Sequence, residues 1–207
     1  NINQYNNLLE LFFNQFKNEK SNQVFLRSLK DPNSQYTWYG TYISVLKLAD
    51  ELDTIIKKND RCLLISENRP EWMISDLAIM LTNGVTVPAY TSYTERDYEY
   101  IIENSKPSVI IISDEIQYKK IKNIIKQKTF IKKIISFEKF QNDFEIIDIK
   151  NIFKKKEYKK KDFLNLNIKR SDLACIIYTS GTEGNPKGVM LSHGGILNNC
   201  DGSISLL

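Results

Sequence analysis

The chain has 207 residues, of which 42% are hydrophobic and 26% charged, and its formal net charge is +4; this suits a core-burying globular domain and excludes wholesale disorder or a fibrous repeat. Mean hydropathy is −0.37, and no apolar run approaches the roughly 18 residues that a membrane-spanning helix needs. Three cysteines, Cys62, Cys175 and Cys200, are too few and too scattered for a disulfide framework or a metal cluster, and they read as buried thiols in a reducing compartment.

Along the chain, Leu8, Leu9, Phe12, Phe13 and Phe16 recur at helical spacing, so an amphipathic helix is expected over residues 5–18. A short strand over 24–29 precedes a turn at Asp31, Pro32, Asn33 and Ser34. Thr37 is a fitting N-cap for a second helix, whose one apolar face carries Tyr42, Val45, Leu46, Ala49 and Leu52. Residues 62–65 read as a buried strand, and Pro70 opens a largely apolar helix that runs through Met80 and stops at Asn83-Gly84. Then follow a strand at 85–89, a helix at 95–104, an aliphatic strand at 109–113, a helix at 115–127 and strands at 133–137 and 144–149. A last aliphatic strand, 173–178, runs into a glycine-rich loop. Strands without in/out alternation, separated by helices, predict an α/β fold with a mostly parallel sheet covered on both faces. The sequence stops at Leu207, inside an expected helix after His193, and so reads as part of a larger protein. Nothing near Asn1 resembles a signal peptide, so a cytoplasmic or peripheral membrane location is expected rather than secretion.

Charge is unevenly spread. Residues 119–161 hold 15 lysines, no arginine and 5 acidic residues, a window of +10 against +4 for the whole chain. Lysine without arginine argues against nucleic acid, whose readout favours the bidentate guanidinium. A solvated face is the first reading, and peripheral association with an anionic membrane surface is the second.

The chemistry is concentrated in Tyr178-Thr179-Ser180-Gly181-Thr182-Glu183-Gly184-Asn185-Pro186-Lys187-Gly188. Glycines without Cβ atoms let backbone N–H groups converge on an anion. Thr179, Ser180 and Thr182 add hydroxyl donors, and Lys187 adds a mobile positive charge. The end of a parallel strand is also where open α/β sheets take their ligands. The order differs from a Walker A loop, in which Gly-Lys is followed by Ser or Thr and opens a helix; here Pro186 precedes Lys187, Gly188 follows it, and residues 189–191 read as extended. A chance glycine-containing surface loop is disfavoured by the ordered Ser/Thr, Gly, Pro and Lys array directly after Ala174-Cys175-Ile176-Ile177.

Residues 178–193, YTSGTEGNPKGVMLSH, resemble the phosphate-binding signature of the adenylate-forming enzymes, which include acyl-CoA synthetases, luciferases and peptide-synthetase adenylation domains. Tyr36-Thr37-Trp38, Ser66-Glu67-Asn68-Arg69-Pro70-Glu71-Trp72, Asp76-Leu77-Ala78 and Asn83-Gly84-Val85-Thr86-Val87-Pro88 resemble the long-chain fatty acyl-CoA synthetase branch in particular. The resemblance implies that residues 1–207 are the N-terminal part of an AMP-binding (adenylation) domain, about a third of a full enzyme, and that the rest of that domain and a small C-terminal domain lie elsewhere. It implies an ATP-dependent fatty acyl-CoA synthetase, inactive as this piece alone, with a fatty acid, ATP with Mg²⁺, and coenzyme A as the small-molecule partners and no catalytic residue or metal ligand in this stretch; an aryl-CoA ligase, an amino-acid adenylation domain and a non-catalytic nucleotide- or lipid-binding homologue are the alternatives. Carried onto matching positions, Thr179, Ser180, Gly181, Thr182, Gly184 and Lys187 would hold the β- and γ-phosphates, with Glu183 in the same loop.

Position 183 departs from the family, which commonly has Thr there. A carboxylate beside a triphosphate repels it, so Glu183 is expected to face solvent. Glu183→Thr in the full-length enzyme should therefore leave ATP turnover unchanged or raise it, and a marked loss would instead give Glu183 a metal- or lysine-binding role. His193, the single histidine, is expected to fix a helix start rather than act as a base, because a carboxylate nucleophile is already ionised at neutral pH. Trp72, Tyr90, Tyr93, Tyr98 and Tyr100 are expected to pack, and Arg69 to belong to a strand-to-helix turn rather than to reach an anion.

Overall fold

The computed structural model describes residues 2–18, 21–32, 34–142, 144–159, 167–179 and 186–204. The first long helix, α1 (Leu8–Asn18), begins at Leu8 because buried Asn7 caps it. The Asn7 Oδ1 accepts the Glu10 N–H at 2.9 Å, and its Nδ2 donates to the Ile168 carbonyl at 3.1 Å. Strands β1 (Val24–Arg27) and β2 (Gln35–Thr37) pair antiparallel in a small separate sheet. The chain then enters α2 (Trp38–Asp53), where Thr37 Oγ1 accepts the Gly40 N–H at 2.9 Å.

Regular alternation follows: β3 (Arg61–Ile65), α3 (Pro70–Leu81), β4 (Val85–Ala89), α4 (Glu95–Ser105), β5 (Val109–Ile112), α5 (Glu115–Ile125) and β6 (Lys133–Ser136). Local chemistry sets the helix starts. Pro70 occupies the first turn of α3, Thr94 and Asp97 form a capping box for α4, and Asp114 accepts the Gln117 N–H at 3.0 Å for α5. At the end of α3 it is Asn83 that turns left-handed, with φ 57°. Gly84 supplies room instead, since a Cβ there would lie 3.1 Å from Ile56 Cγ2 and from Ile79 Cγ2 and its carbonyl. The strand expected over 144–149 is shorter, β7 (Ile146–Asp148), because the Asp148 carboxylate accepts the Lys150 N–H at 2.9 Å and starts α6 (Ile149–Phe153). Finally come β8 (Leu173–Thr179), β9 (Lys187–Ser192) and α7 (His193–Ile204).

Seven strands form the main sheet in the order β7-β6-β5-β3-β4-β8-β9, all parallel except β9, which runs antiparallel to β8. The central strands are buried on both faces, as their unbroken apolar sequence predicts. Cys62, Leu64, Val109 and Ile111 join one core with α1, α2, α3 and α6, whereas Leu63, Ile65, Ile110 and Ile112 join a second core with α4 and α5. Loops after β3 therefore lead to one face and loops after β4 and β5 to the other, which opens the carboxyl edge of the sheet to ligands. No helix among the described residues is long and apolar enough to cross a membrane.

Candidate functional site

The β8–β9 hairpin carries the motif to that carboxyl edge. Thr86 of β4 lies opposite Cys175 of the parallel β8, so Thr179 emerges at the end where β4 also finishes. The chain returns with Thr179 opposite Lys187 and Tyr178 opposite Gly188. Directly paired residues share a face of the sheet with Cβ atoms about 5 Å apart, so a hydroxyl and an ammonium stand side by side at the mouth of the loop. Both residues are exposed, and Lys187 has no ion-pair partner among the described residues. The other predicted loop residues, Ser180, Gly181, Thr182, Glu183 and Gly184, lie outside the described residues.

Gly188 has a packing role that the motif alone does not announce. A Cβ there would lie 3.0 Å from Ile176 Cγ2 and 3.3 Å from Tyr178 Cζ, so its absence lets the Tyr178 ring lie across β9. That ring is held at its far end, where the Tyr178 hydroxyl donates to Asn104 Oδ1 at 2.5 Å. The Tyr93 hydroxyl donates to the Tyr178 carbonyl at 3.4 Å, bracing the strand one residue before Thr179. Tyr93 and Asn104 were not legible as neighbours of the motif, because 74 to 85 residues separate them from Tyr178.

Arg69 is engaged by carboxylates, as a strand-to-helix turn requires. Its Nε donates to Glu71 Oε2 at 2.9 Å, and one terminal nitrogen lies 3.0 Å from Glu138 Oε1 and 3.7 Å from Glu67 Oε1. The Tyr36 hydroxyl donates to the other Glu71 oxygen at 3.2 Å, and the guanidinium carbon sits 5.4 Å from the Phe137 ring centroid. This network occupies Arg69 at the carboxyl edge beside β3, whereas Lys187, at the mouth of the β8–β9 hairpin, is exposed and has no ion pair among the described residues. Of the aromatics expected to pack, Tyr90 is instead 67% exposed. Tyr98 is buried and donates to the Tyr90 carbonyl at 2.7 Å, and Trp72 packs against the first core.

His193 begins α7 and is only 2% exposed. Its Nδ1 accepts the Leu8 N–H at 3.4 Å, so it satisfies the start of α1 rather than its own helix, and it lies in the core rather than at the loop. Burial pushes its imidazole down from 6.5 to about 4, against the pull of Asp172. Asp76 shows the opposite behaviour. Burial between α3 and β4 pushes its carboxyl up from 3.8 to about 6, although Thr86 Oγ1 donates to it at 2.6 Å.

These two groups pull stability in opposite directions with pH. The unfolded chain protonates His193 below 6.5 while the fold resists until about 4, so its contribution is complete above 6.5 and lost on acidification. Asp76 keeps its proton in the fold up to about 6 but loses it above 3.8 when unfolded, so its contribution is complete below 3.8 and lost as pH rises. Against burial, Glu51 is held below 4.5 by Lys133 and Lys155, and Glu67 by a backbone hydrogen bond with Lys30 and Arg69; Asp97 and Asp172 are held below 3.8 by hydrogen bonds. Among these shifted groups, the window from 4.5 to about 6 belongs to the opposed pair. Urea unfolding across it is expected to be nearly flat in the parent protein. Asp76→Asn should lose about 1 kcal/mol per pH unit on acidification, and His193→Asn, which keeps an acceptor, should gain about as much. Equal slopes in all three would contradict the assignment.

Among the described residues no group of three or more His, Cys, Asp or Glu side chains is placed to hold a metal ion. What the hairpin can do is electrostatic: one ammonium and one hydroxyl at the carboxyl edge are suited to bind and orient phosphate oxygens.

The family model described as AMP-binding enzyme matches residues 12–206. Fatty acyl-CoA synthetase A of Dictyostelium discoideum is 33% identical over 150 residues, covering 67% of this chain and 21% of that protein. Long chain acyl-CoA synthetase 4 of Arabidopsis thaliana is 29% identical over 181 residues, covering 83% of this chain and 27% of that protein. The chain thus spans about a fifth to a quarter of the length of these relatives. Among solved structures, the anthranilate CoA ligase AuaEII in complex with anthranoyl-AMP aligns with a TM-score of 0.76 at 18% identity, over 91% of this chain and 35% of that one. The acetoacetyl-CoA synthetase of Streptomyces lividans aligns with a TM-score of 0.76 at 18% identity, over 92% and 31%. At such identities the structural matches speak for the fold alone.

Proposed function

The chain belongs to the AMP-binding enzyme family, and on that premise we propose that the complete protein is an ATP-dependent fatty acyl-CoA synthetase. The observation that carries this reading is Thr179 facing Lys187 across the β8–β9 hairpin, at the carboxyl edge of a parallel sheet. The choice of a fatty acid follows the names of the relatives, fatty acyl-CoA synthetase A and long chain acyl-CoA synthetase 4.

In the first step a carboxylate oxygen attacks the α-phosphorus of ATP. An O–P bond forms, the bond to the bridging α–β oxygen breaks, and pyrophosphate leaves with its electron pair. The coenzyme A thiol, losing its proton, then attacks the acyl carbon and expels AMP to give the thioester. Lys187 and Thr179 act in the first step, holding β- and γ-phosphate oxygens so that the α-phosphorus faces the carboxylate and the charge on departing pyrophosphate is met. Ser180, Gly181, Thr182 and Gly184 are assigned to the same cradle. Magnesium bound to the triphosphate would offset further negative charge, and no residue described here is assigned to it.

The test is carboxylate-dependent ATP–pyrophosphate exchange by the full-length protein, run across fatty, aryl and amino acids. Exchange driven by fatty acids, followed by thioester formation with coenzyme A, supports the proposal. Exchange driven only by aryl or amino acids would move the protein to another branch of the family, and no exchange with any carboxylate would make it a non-catalytic binder.

A further inference from the structure

Chain topology places the lysines at the opposite edge of the sheet from the motif. Helix α5 runs back against the parallel strands, so Lys126 and Lys128, which follow it, reach the edge where strands begin. Lys132 and Lys133 open β6 at the same level: the Lys132 N–H donates to the Ser108 carbonyl, just before β5, and Lys133 pairs with Val109. Together these four lysines line a cleft of about 500 Å³ whose acidic members are Glu51 and Glu145. Glu51 is already shared between Lys133 and Lys155, and Lys128 is paired with Glu103. Lys126 and Lys132 are exposed, and neither has an ion-pair partner among the described residues. Glu51 and Glu103 therefore hold Lys133 and Lys128 in place, and the ammonium groups of Lys126 and Lys132 line the same cleft without an ion pair among the described residues. A merely solvated lysine face would spread its cations singly; here they converge on one concavity. The ATP reading does not use them, because they stand across the sheet from Thr179 and Lys187.

We propose that the cleft lined by Lys126, Lys128, Lys132 and Lys133 docks the protein on an anionic phospholipid surface. Acidic headgroups enter the cleft, the free ammonium groups of Lys126 and Lys132 meet their phosphates and carboxylates, and the carboxyl edge with the hairpin faces away from the bilayer. Compact, hydrated lysine charges suit such a diffuse anionic layer, where each adds an increment of attraction and no directional fork is required.

The test is sedimentation of the full-length protein with vesicles of mixed phosphatidylserine and phosphatidylcholine, and with phosphatidylcholine alone, in the absence of ATP and fatty acid so that it is independent of the adenylation reading. Binding is expected only to the mixed vesicles and should disappear at high salt. The Lys126→Glu/Lys132→Glu variant is expected to lose about a hundredfold or more in partitioning, given the attraction contributed by each cation near such a surface. Lys126→Gln/Lys132→Gln, which adds no repulsion, should lose less. Lys139→Glu, near the carboxyl end of β6, should bind as the parent does. Equal binding to neutral vesicles, or full binding by both double variants, would overturn the proposal.

Discussion

Lys187→Ala in the full-length protein is expected to slow fatty-acid-dependent ATP–pyrophosphate exchange by about 10²–10³-fold, the usual cost of deleting one preorganised charge-stabilising contact. The effect should fall on the rate of adenylation. Lys187 is exposed and carries no ion pair among the described residues, so its removal should leave unfolding free energy within about 0.5 kcal/mol of the parent. Arginine at this position keeps the charge but changes its shape from a point to a fork, and should recover only part of the rate. The combination of a slow enzyme with an undisturbed melting curve separates a binding role from a packing role. Parent-like exchange in Lys187→Ala would remove the hairpin from the chemistry.

Arg69→Met is expected to do the reverse, damaging the fold far more than it damages the chemistry. The Arg69 side chain is 18% exposed and that of Glu71 only 6%. Removing the guanidinium leaves a buried carboxylate with the Tyr36 hydroxyl as its remaining described donor, and breaking such a pair typically costs about 3–5 kcal/mol. Glu138 and Glu67, more exposed, can turn to water and add little. Adding Glu71→Gln to Arg69→Met removes the stranded charge and should restore most of the lost stability, a coupling that urea unfolding of the two single variants and the double variant would measure. Once refolded, the double variant should exchange pyrophosphate at close to the parent rate. A parent-like melting curve for Arg69→Met together with a sharply raised KM for ATP would instead make Arg69 a phosphate ligand.

How far the sequence carried these conclusions depended on whether the relevant physics is local. Strands 62–65 and 109–112 were readable because a segment covered on both faces has no polar alternation to hide it. The glycine- and hydroxyl-rich segment stood out because its composition has a direct chemical reason. Long-range chemistry was not. Asn7 reaches Ile168 and His193 reaches the Leu8 N–H across 161 and 185 residues, so the start of α1 at Leu8 could not be placed from periodicity. His193 read as fixing its own helix, when its imidazole completes a helix at the other end of the chain. The carboxylates that occupy Arg69 were half visible, since Glu67 and Glu71 adjoin it in sequence, while Glu138 arrives from the loop after β6. Gly188 read as part of an anion cradle, and its contact with the Tyr178 ring became apparent only with the register of β8 and β9.

The most direct measurement is a structure of the complete protein with bound ATP. Lys187 Nζ and the Thr179 hydroxyl are predicted to lie within hydrogen-bonding distance, about 3 Å, of β- or γ-phosphate oxygens, with Arg69 still bound to Glu71. A triphosphate seated away from the β8–β9 hairpin, with Lys187 in solvent, would contradict the account.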